Sequence, residues 1–277
     1  MIIWLASYPK SGNTLVRSVL SAYFFSKEGT FNFEILRNIQ QFPLNPLFER
    51  LGINVKNEKE VVKNYIKVQE SINKKDSIQF FKTHSCLFNI DDNLFTNLDN
   101  SLGVIYIVRD PRTVALSYSN HINKDIEYTT NHLINGWKIG GHSSPENISD
   151  QTSVYTGNWA KNYESWKSFK SPKKYLLVKY EDMISEREKT FTKILEFIFF
   201  LENKNSSIDK NKLKKALDST EFSKMQNLEK KYGFAESKKN KFFNLGPTND
   251  WKKDLNEKYQ KEIENSFGKE MKELGYL

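Results

Sequence analysis

Leu102-Gly103-Val104-Ile105-Tyr106-Ile107-Val108 is an unbroken run without a charged side chain. A strand with one wet face alternates apolar and polar residues, whereas a near-continuous apolar run is covered on both faces. Helices on both sides of a mostly parallel sheet supply that cover. Other segments fit the same layering. Residues 2–7 and 78–82 read as earlier strands, and 175–178 as a fourth. Helical spacing lies between them. It covers about 12–25 (Leu15, Val16, Val19, Leu20, Tyr23), 58–73 (Val61, Val62, Tyr65, Ile66, Val68), 112–121 behind Pro111, and 158–170 (Trp159, Tyr163, Trp166, Phe169). Further helices are read over about 185–201, 209–217 and 252–273. The expected class is α/β, a three-layer α/β/α sandwich around a central, mostly parallel sheet. The other stretches read as irregular: short helices and loops in 26–75, a polar loop or lid over 122–157, and a basic, loop-like 226–250.

Bulk properties narrow the function classes. The 277 residues read as a single domain, 1–277, with no internal repeat. Hydrophobic content of 38% supports a sizeable core and argues against wholesale disorder. The net charge of +8, densest at Lys238-Lys239-Asn240-Lys241, fits an anionic ligand, an anionic polymer or a membrane surface equally well. A single cysteine, Cys86, excludes an intrachain disulfide and a cysteine zinc cluster. His84, His121, His132 and His142 form no metal-binding pattern, so no metal is expected. The apolar start is broken by Tyr8-Pro9-Lys10, so it reads neither as a signal peptide nor as a membrane span, and the expected address is the cytoplasm.

In a parallel α/β sheet, ligands sit beyond the carboxyl ends of the strands. That rule groups three scattered residues: Lys10, His84 and Arg109, each placed just after a strand. The first loop, Tyr8-Pro9-Lys10-Ser11-Gly12-Asn13-Thr14, feeds a helix N-terminus, whose open N–H groups and dipole favour an anion. It is not a Walker A loop, because Lys10 precedes Gly12 and no glycine lies upstream. That weakens the reading as a small-molecule kinase of the P-loop class. A non-enzymatic basic module for an anionic polymer would not explain three polar residues at three strand ends, and no nucleic-acid-binding motif is present.

This loop resembles the 5′-phosphosulfate loop of the cytosolic-type sulfotransferases, with a bacterial-like character. Four more segments follow in that family's order. Phe81-Lys82-Thr83-His84 is similar to the segment carrying the catalytic base. Arg109-Asp110-Pro111-Arg112 through Ser117-Tyr118 resembles the 3′-phosphate segment, with Arg109 and Ser117 at the matching spacing. Lys179-Tyr180-Glu181-Asp182 looks like the family's Tyr-Glu-Asp segment, and Ser219 to Met225 like its adenine-side segment, with Thr220, Phe222 and Met225 in register. Two departures stand out. Leu15 replaces an adenine-packing tryptophan. In Asn244-Leu245-Gly246 to Trp251, Gly246 and Trp251 match, but Asn244 and Leu245 replace an Arg-Lys pair.

The resemblance implies a P-loop NTPase-like sulfotransferase fold and the cosubstrate 3′-phosphoadenosine 5′-phosphosulfate (PAPS), without a metal. It implies His84, Lys10 and Lys82 as catalytic residues. Lys10, Ser11, Gly12, Asn13, Thr14, Leu15, Arg109, Ser117, Tyr180, Thr220, Phe222, Met225, Asn244 and Gly246 are the implied cosubstrate contacts. Glu181 and Asp182 read as supporting acids rather than a catalytic pair, and Arg112 as a partner of Asp110. The acceptor would be a small molecule, glycan or lipid, in a pocket built from 27–75, 122–157 and 226–250. No nucleic acid or integral membrane association is expected. The family is often dimeric, though no dimer motif stands out here.

Overall fold

The computed structural model describes residues 1–73, 77–140, 152–169, 172–203, 206–236 and 241–277. The strands are β1 Ile2–Ser7, β2 Gln40–Gln41, β3 Gln79–Thr83, β4 Ser101–Val108, β5 Trp137–Ile139, β6 Val154–Gly157 and β7 Tyr175–Lys179. The helices are α1 Asn13–Phe25, α2 Asn45–Glu49, α3 Glu58–Lys63, α4 Tyr65–Ile72, α5 Pro111–Ile122, α6 Ile126–Asn135, α7 Trp159–Lys167, α8 Tyr180–Ser185, α9 Arg187–Leu201, α10 Lys210–Ser219, α11 Phe222–Tyr232, α12 Trp251–Asp254 and α13 Glu257–Glu273.

Five strands form the central sheet in the order β2-β3-β1-β4-β7, with every pairing parallel. Both faces are covered, as the apolar β4 run requires. Alternate side chains of one strand go to opposite layers. Ile2, Trp4 and Ala6 of β1, with Val104, Tyr106 and Val108 of β4, join one core with α2 to α7 and α13. Ile3 and Leu5, with Ile105 and Ile107, join the other with α1 and α8 to α11. Trp4 anchors the first core. It is fully buried, lies 5.4–6.3 Å from the rings of Phe42, Phe81, Phe95 and Trp166, and donates its N–H to Ser101 Oγ at 2.8 Å.

Several sequence expectations are corrected. The stretch 122–157 is not a bare loop: it contains α6 and the antiparallel pair β5-β6. Asp125 starts α6 by accepting from Tyr128 N at 2.7 Å. Within 226–250, α11 continues as far as Tyr232. The helix read over 58–73 is broken at Asn64, and the last one at Leu255-Asn256. β2 lies within 26–75, read as short helices and loops, and α8 precedes the helix read over 185–201. His142 and Lys238-Lys239-Asn240 lie outside the described residues.

Candidate active site

Because the central strands are parallel, their carboxyl ends share one edge. The register brings Ala6 beside Thr83, Ser7 beside Ile107, and Val108 beside Lys179. The next residues of each strand are therefore neighbours: the Lys10 loop, His84, Arg109 and Tyr180.

His84 is fixed by its backbone neighbours. Its Nδ1 lies 2.8 Å from Ser7 O, and a carbonyl only accepts, so Nδ1 carries the proton and Nε2 holds a lone pair. Ser7 Oγ, 3.2 Å from the same nitrogen, is itself held by Asn13 Nδ2, which also donates to Leu5 O at 2.8 Å. The Asn13 side chain thus turns back into the strand and supports His84. From the other side, Asn162 Nδ2 donates to His84 O at 3.0 Å. Burial, reinforced by Lys82, lowers the His84 pKa to about 3, so the ring is neutral.

The first loop is tightly made. Lys10 has φ 65 and Gly12 φ 100, both in the left-handed region. A Cβ on Gly12 would come within 2.5 Å of the Tyr180 ring, so only glycine fits. Arg109 ties the pieces together. Its guanidinium lies 3.9 Å from the Tyr180 ring centre, and its NH1 donates to Lys10 O at 3.2 Å. Its NH2 reaches Gly246 O at 3.5 Å. Gly246, at φ 47, packs under Phe222, where a Cβ would be 2.2 Å from that ring. One arginine thus joins four of the segments singled out in the sequence, once Phe222 is included through Gly246.

The edge is strongly cationic. Burial and the charges of Arg109 and Lys82 lower the Lys10 pKa to about 7. Burial lowers Lys82 and Arg109 as well. The Lys10 ammonium lies 4.1 Å from the Phe242 ring centre. Two residues without a sequence reading complete the edge. Arg17, one helical turn after Asn13, pairs with Glu236, and Lys82 Nζ lies 3.2 Å from the same carboxylate. Burial alone would raise the Glu236 carboxyl; Lys82 and Arg17 outweigh it and hold the group well below the usual carboxylate range. Arg17 was legible as a neighbour of Asn13 on α1, whereas nothing local marks Glu236.

The other expected contacts are placed unevenly. Ser117 is half-buried on α5, and Leu15 packs on the second core. Thr220 is buried, and its Oγ1 accepts from Arg187 NH2 at 2.8 Å. Met225 is buried, and Asn244 is exposed. Glu181 supports rather than faces the edge, accepting from Asp110 N at 3.1 Å and from the Tyr276 hydroxyl at 2.9 Å. Among the described residues, no three His, Cys, Asp or Glu side chains gather as a metal site, and no helix is long and apolar enough to cross a membrane.

Residues 2–275 match the model of the sulfotransferase domain family. The chain belongs to that family. Sulfotransferase 1E1 of Mus musculus is 23% identical over 282 residues, covering 97% of this chain and 83% of the relative. Among solved structures, retinol dehydratase in complex with androsterone and the inactive cofactor PAP superposes with a TM-score of 0.63 at 15% identity, covering 98% of this chain and 80% of that one. Mouse sulfotransferase SULT7A1 complexed with PAP gives 0.61 at 19% identity, with 97% and 83% covered. The layered fold is thus that of the sulfotransferases. As a family member the chain is an enzyme that takes its sulfuryl group from PAPS. The edge suits such a polyanion: Ser11 Oγ and Arg109 Nε are buried there without a hydrogen-bond partner.

A second histidine also borders this edge. Burial, then the charges of Lys10 and Lys82, lowers the His121 pKa to about 3, and the Phe242 ring lies against both His121 and the Lys10 ammonium. It begins an aromatic series. Phe242 meets His121 at 5.7 Å, Tyr118 stacks on His121 at 6.1 Å, Trp137 meets Tyr118 at 4.7 Å, and His132 meets Trp137 at 4.8 Å. Nothing local in the sequence marks this alignment.

Proposed function

We propose that this sulfotransferase moves a sulfuryl group from PAPS to a hydroxyl or amine of a small molecule, with His84 as general base. The observation that carries the reading is the Nδ1–Ser7 hydrogen bond, which leaves His84 Nε2 as a proton acceptor at the sheet edge, under the charge of Lys82. PAPS supplies a sulfuryl group activated by its 5′-phosphate. His84 Nε2 takes the acceptor's proton as the acceptor atom bonds to sulfur and the bond from sulfur to the bridging phosphate oxygen breaks. Lys10 stabilises the charge that collects on that departing oxygen. Lys82 holds the sulfuryl oxygens, and the N–H groups of residues 11–14 hold the 5′-phosphate. The step is positioning and charge stabilisation throughout.

At the nucleotide end, Arg109 and Ser117 hold the 3′-phosphate. Tyr180, Leu15, Thr220, Phe222 and Met225 border the nucleoside, with Asn244 and Gly246 at its rim. The convergence of Arg109 on Lys10, Tyr180 and Gly246 supports this grouping. The aromatic series from Phe242 through His121, Tyr118 and Trp137 to His132 supports a flat, mainly apolar acceptor.

The test is a panel of phenols, flat alcohols, amines and sugars incubated with PAPS and read by mass spectrometry. The expected result is a gain of one sulfuryl group, favouring ring-bearing acceptors. Transfer to sugars alone would overturn the acceptor reading.

A further inference from the structure

The reaction end of this edge already holds an anion. Glu236 lies in the turn after α11 and offers one carboxylate oxygen to each of two cations, Lys82 at 3.2 Å and Arg17. Arg17 is anchored on its other side by Ile39 O at 2.9 Å. The cations and the acid differ in accessibility. Side-chain exposure is 6% for Arg17 and 10% for Lys82, but 29% for Glu236. The cations are therefore built into the sheet edge, while the acid reaches them from the surface side. Its backbone is not part of the sheet. α11 stops at Gly233, with φ 71, and Phe234 inserts into the second core just before Glu236.

Two acceptor oxygens on two buried cations is also the arrangement that two sulfuryl oxygens would adopt. We propose that Glu236 is a specificity-determining residue whose carboxylate stands in for the transferable sulfuryl group on Lys82 and Arg17, and that PAPS displaces it whereas the sulfuryl-free product PAP does not. This rests on the reading of Lys82 as the sulfuryl-holding residue, and it adds Arg17 as a second such contact. A ligand shifts an equilibrium only by its differential affinity for the two states. Binding PAPS requires that both ion pairs open; binding PAP leaves them closed. Once the sulfuryl group has moved to the acceptor, Glu236 re-forms both pairs and keeps free sulfate from occupying them.

The experiment compares PAPS, without acceptor, and PAP as titrants by calorimetry, on the full chain and on Glu236→Gln. Gln keeps the shape and removes the charge. The expected result is that the PAPS-to-PAP affinity ratio rises on the order of 10-fold in the variant, because the competing state is lost. PAP affinity itself should stay within about 2-fold. An unchanged ratio, or equal weakening of both ligands, would overturn the proposal and leave Glu236 as a packing clamp. Glu236→Ala, followed by thermal unfolding, separates that clamp role from ligand competition: a raised ratio in a folded Ala variant supports the stand-in. If the unaltered chain binds neither PAP nor PAPS, the proposed function fails and this inference, which rests on it, falls with it; binding of both with an unchanged ratio overturns this inference alone.

Discussion

Arg109 and Arg112 stand three residues apart at the end of β4, yet they belong to two different regions. Arg112 lies where α5, α12 and α13 meet. It pairs with Asp110 at 2.7 Å and Glu264 at 2.6 Å, donates to Tyr276 O at 2.8 Å, and stacks 3.6 Å over Trp251. Burial works against its charge, and those acids more than restore it. Arg109 faces the sheet edge instead, against a ring and two carbonyls, and burial lowers its pKa. A buried cation matched by carboxylates holds a fold together. A buried cation set against neutral groups is poised for an anion from outside.

This contrast can be broken experimentally. Arg112→Met should cost about 3 kcal/mol of stability, because it strands Asp110 and exposes the Trp251 contact. Urea unfolding measures that loss, and PAP affinity of the folded fraction should stay unchanged. Lys10→Ala should reverse the pattern: little change in unfolding midpoint, but a loss of about 10²–10³-fold in turnover together with weaker PAPS binding. Arg109→Ala should be milder and more selective. It should weaken PAP by roughly 10-fold or more, and adenosine 5′-phosphosulfate, which lacks the 3′-phosphate, by much less. Equal losses for both ligands would contradict the assignment of Arg109.

A further effect is in pH. Lys10, with its pKa lowered to about 7, is charged below that value and neutral above it in the empty enzyme. An anion that needs the charge must restore the proton, so PAP affinity should fall as pH rises from 7 to 9, by at most about 10-fold per unit. Lys10→Ala should flatten that slope. His84, lowered to about 3, predicts no acid limb near 6.5 in kcat/KM.

The sheet and its edge were legible because each signal is local. β1, β3, β4 and β7 are short apolar runs that end in polar residues, and parallel pairing alone brings those ends together. α6 was missed because its exposed faces are polar, although Asp125 was there as a cap. α11 buries only Met225, too little for an apolar stripe. β2 has two residues and no pattern of its own. Glu236 reaches Lys82 across 154 residues of sequence, and such a pair leaves no mark in either segment.

The most direct measurement of the central claim is sulfuryl transfer from PAPS by His84→Ala beside the unaltered chain, with PAP affinity titrated on the same two preparations. The account predicts a loss of about 10²–10⁴-fold in turnover with PAP affinity nearly unchanged. Full turnover in the variant would contradict it, because the sheet edge would then bind the cosubstrate without His84 taking the proton.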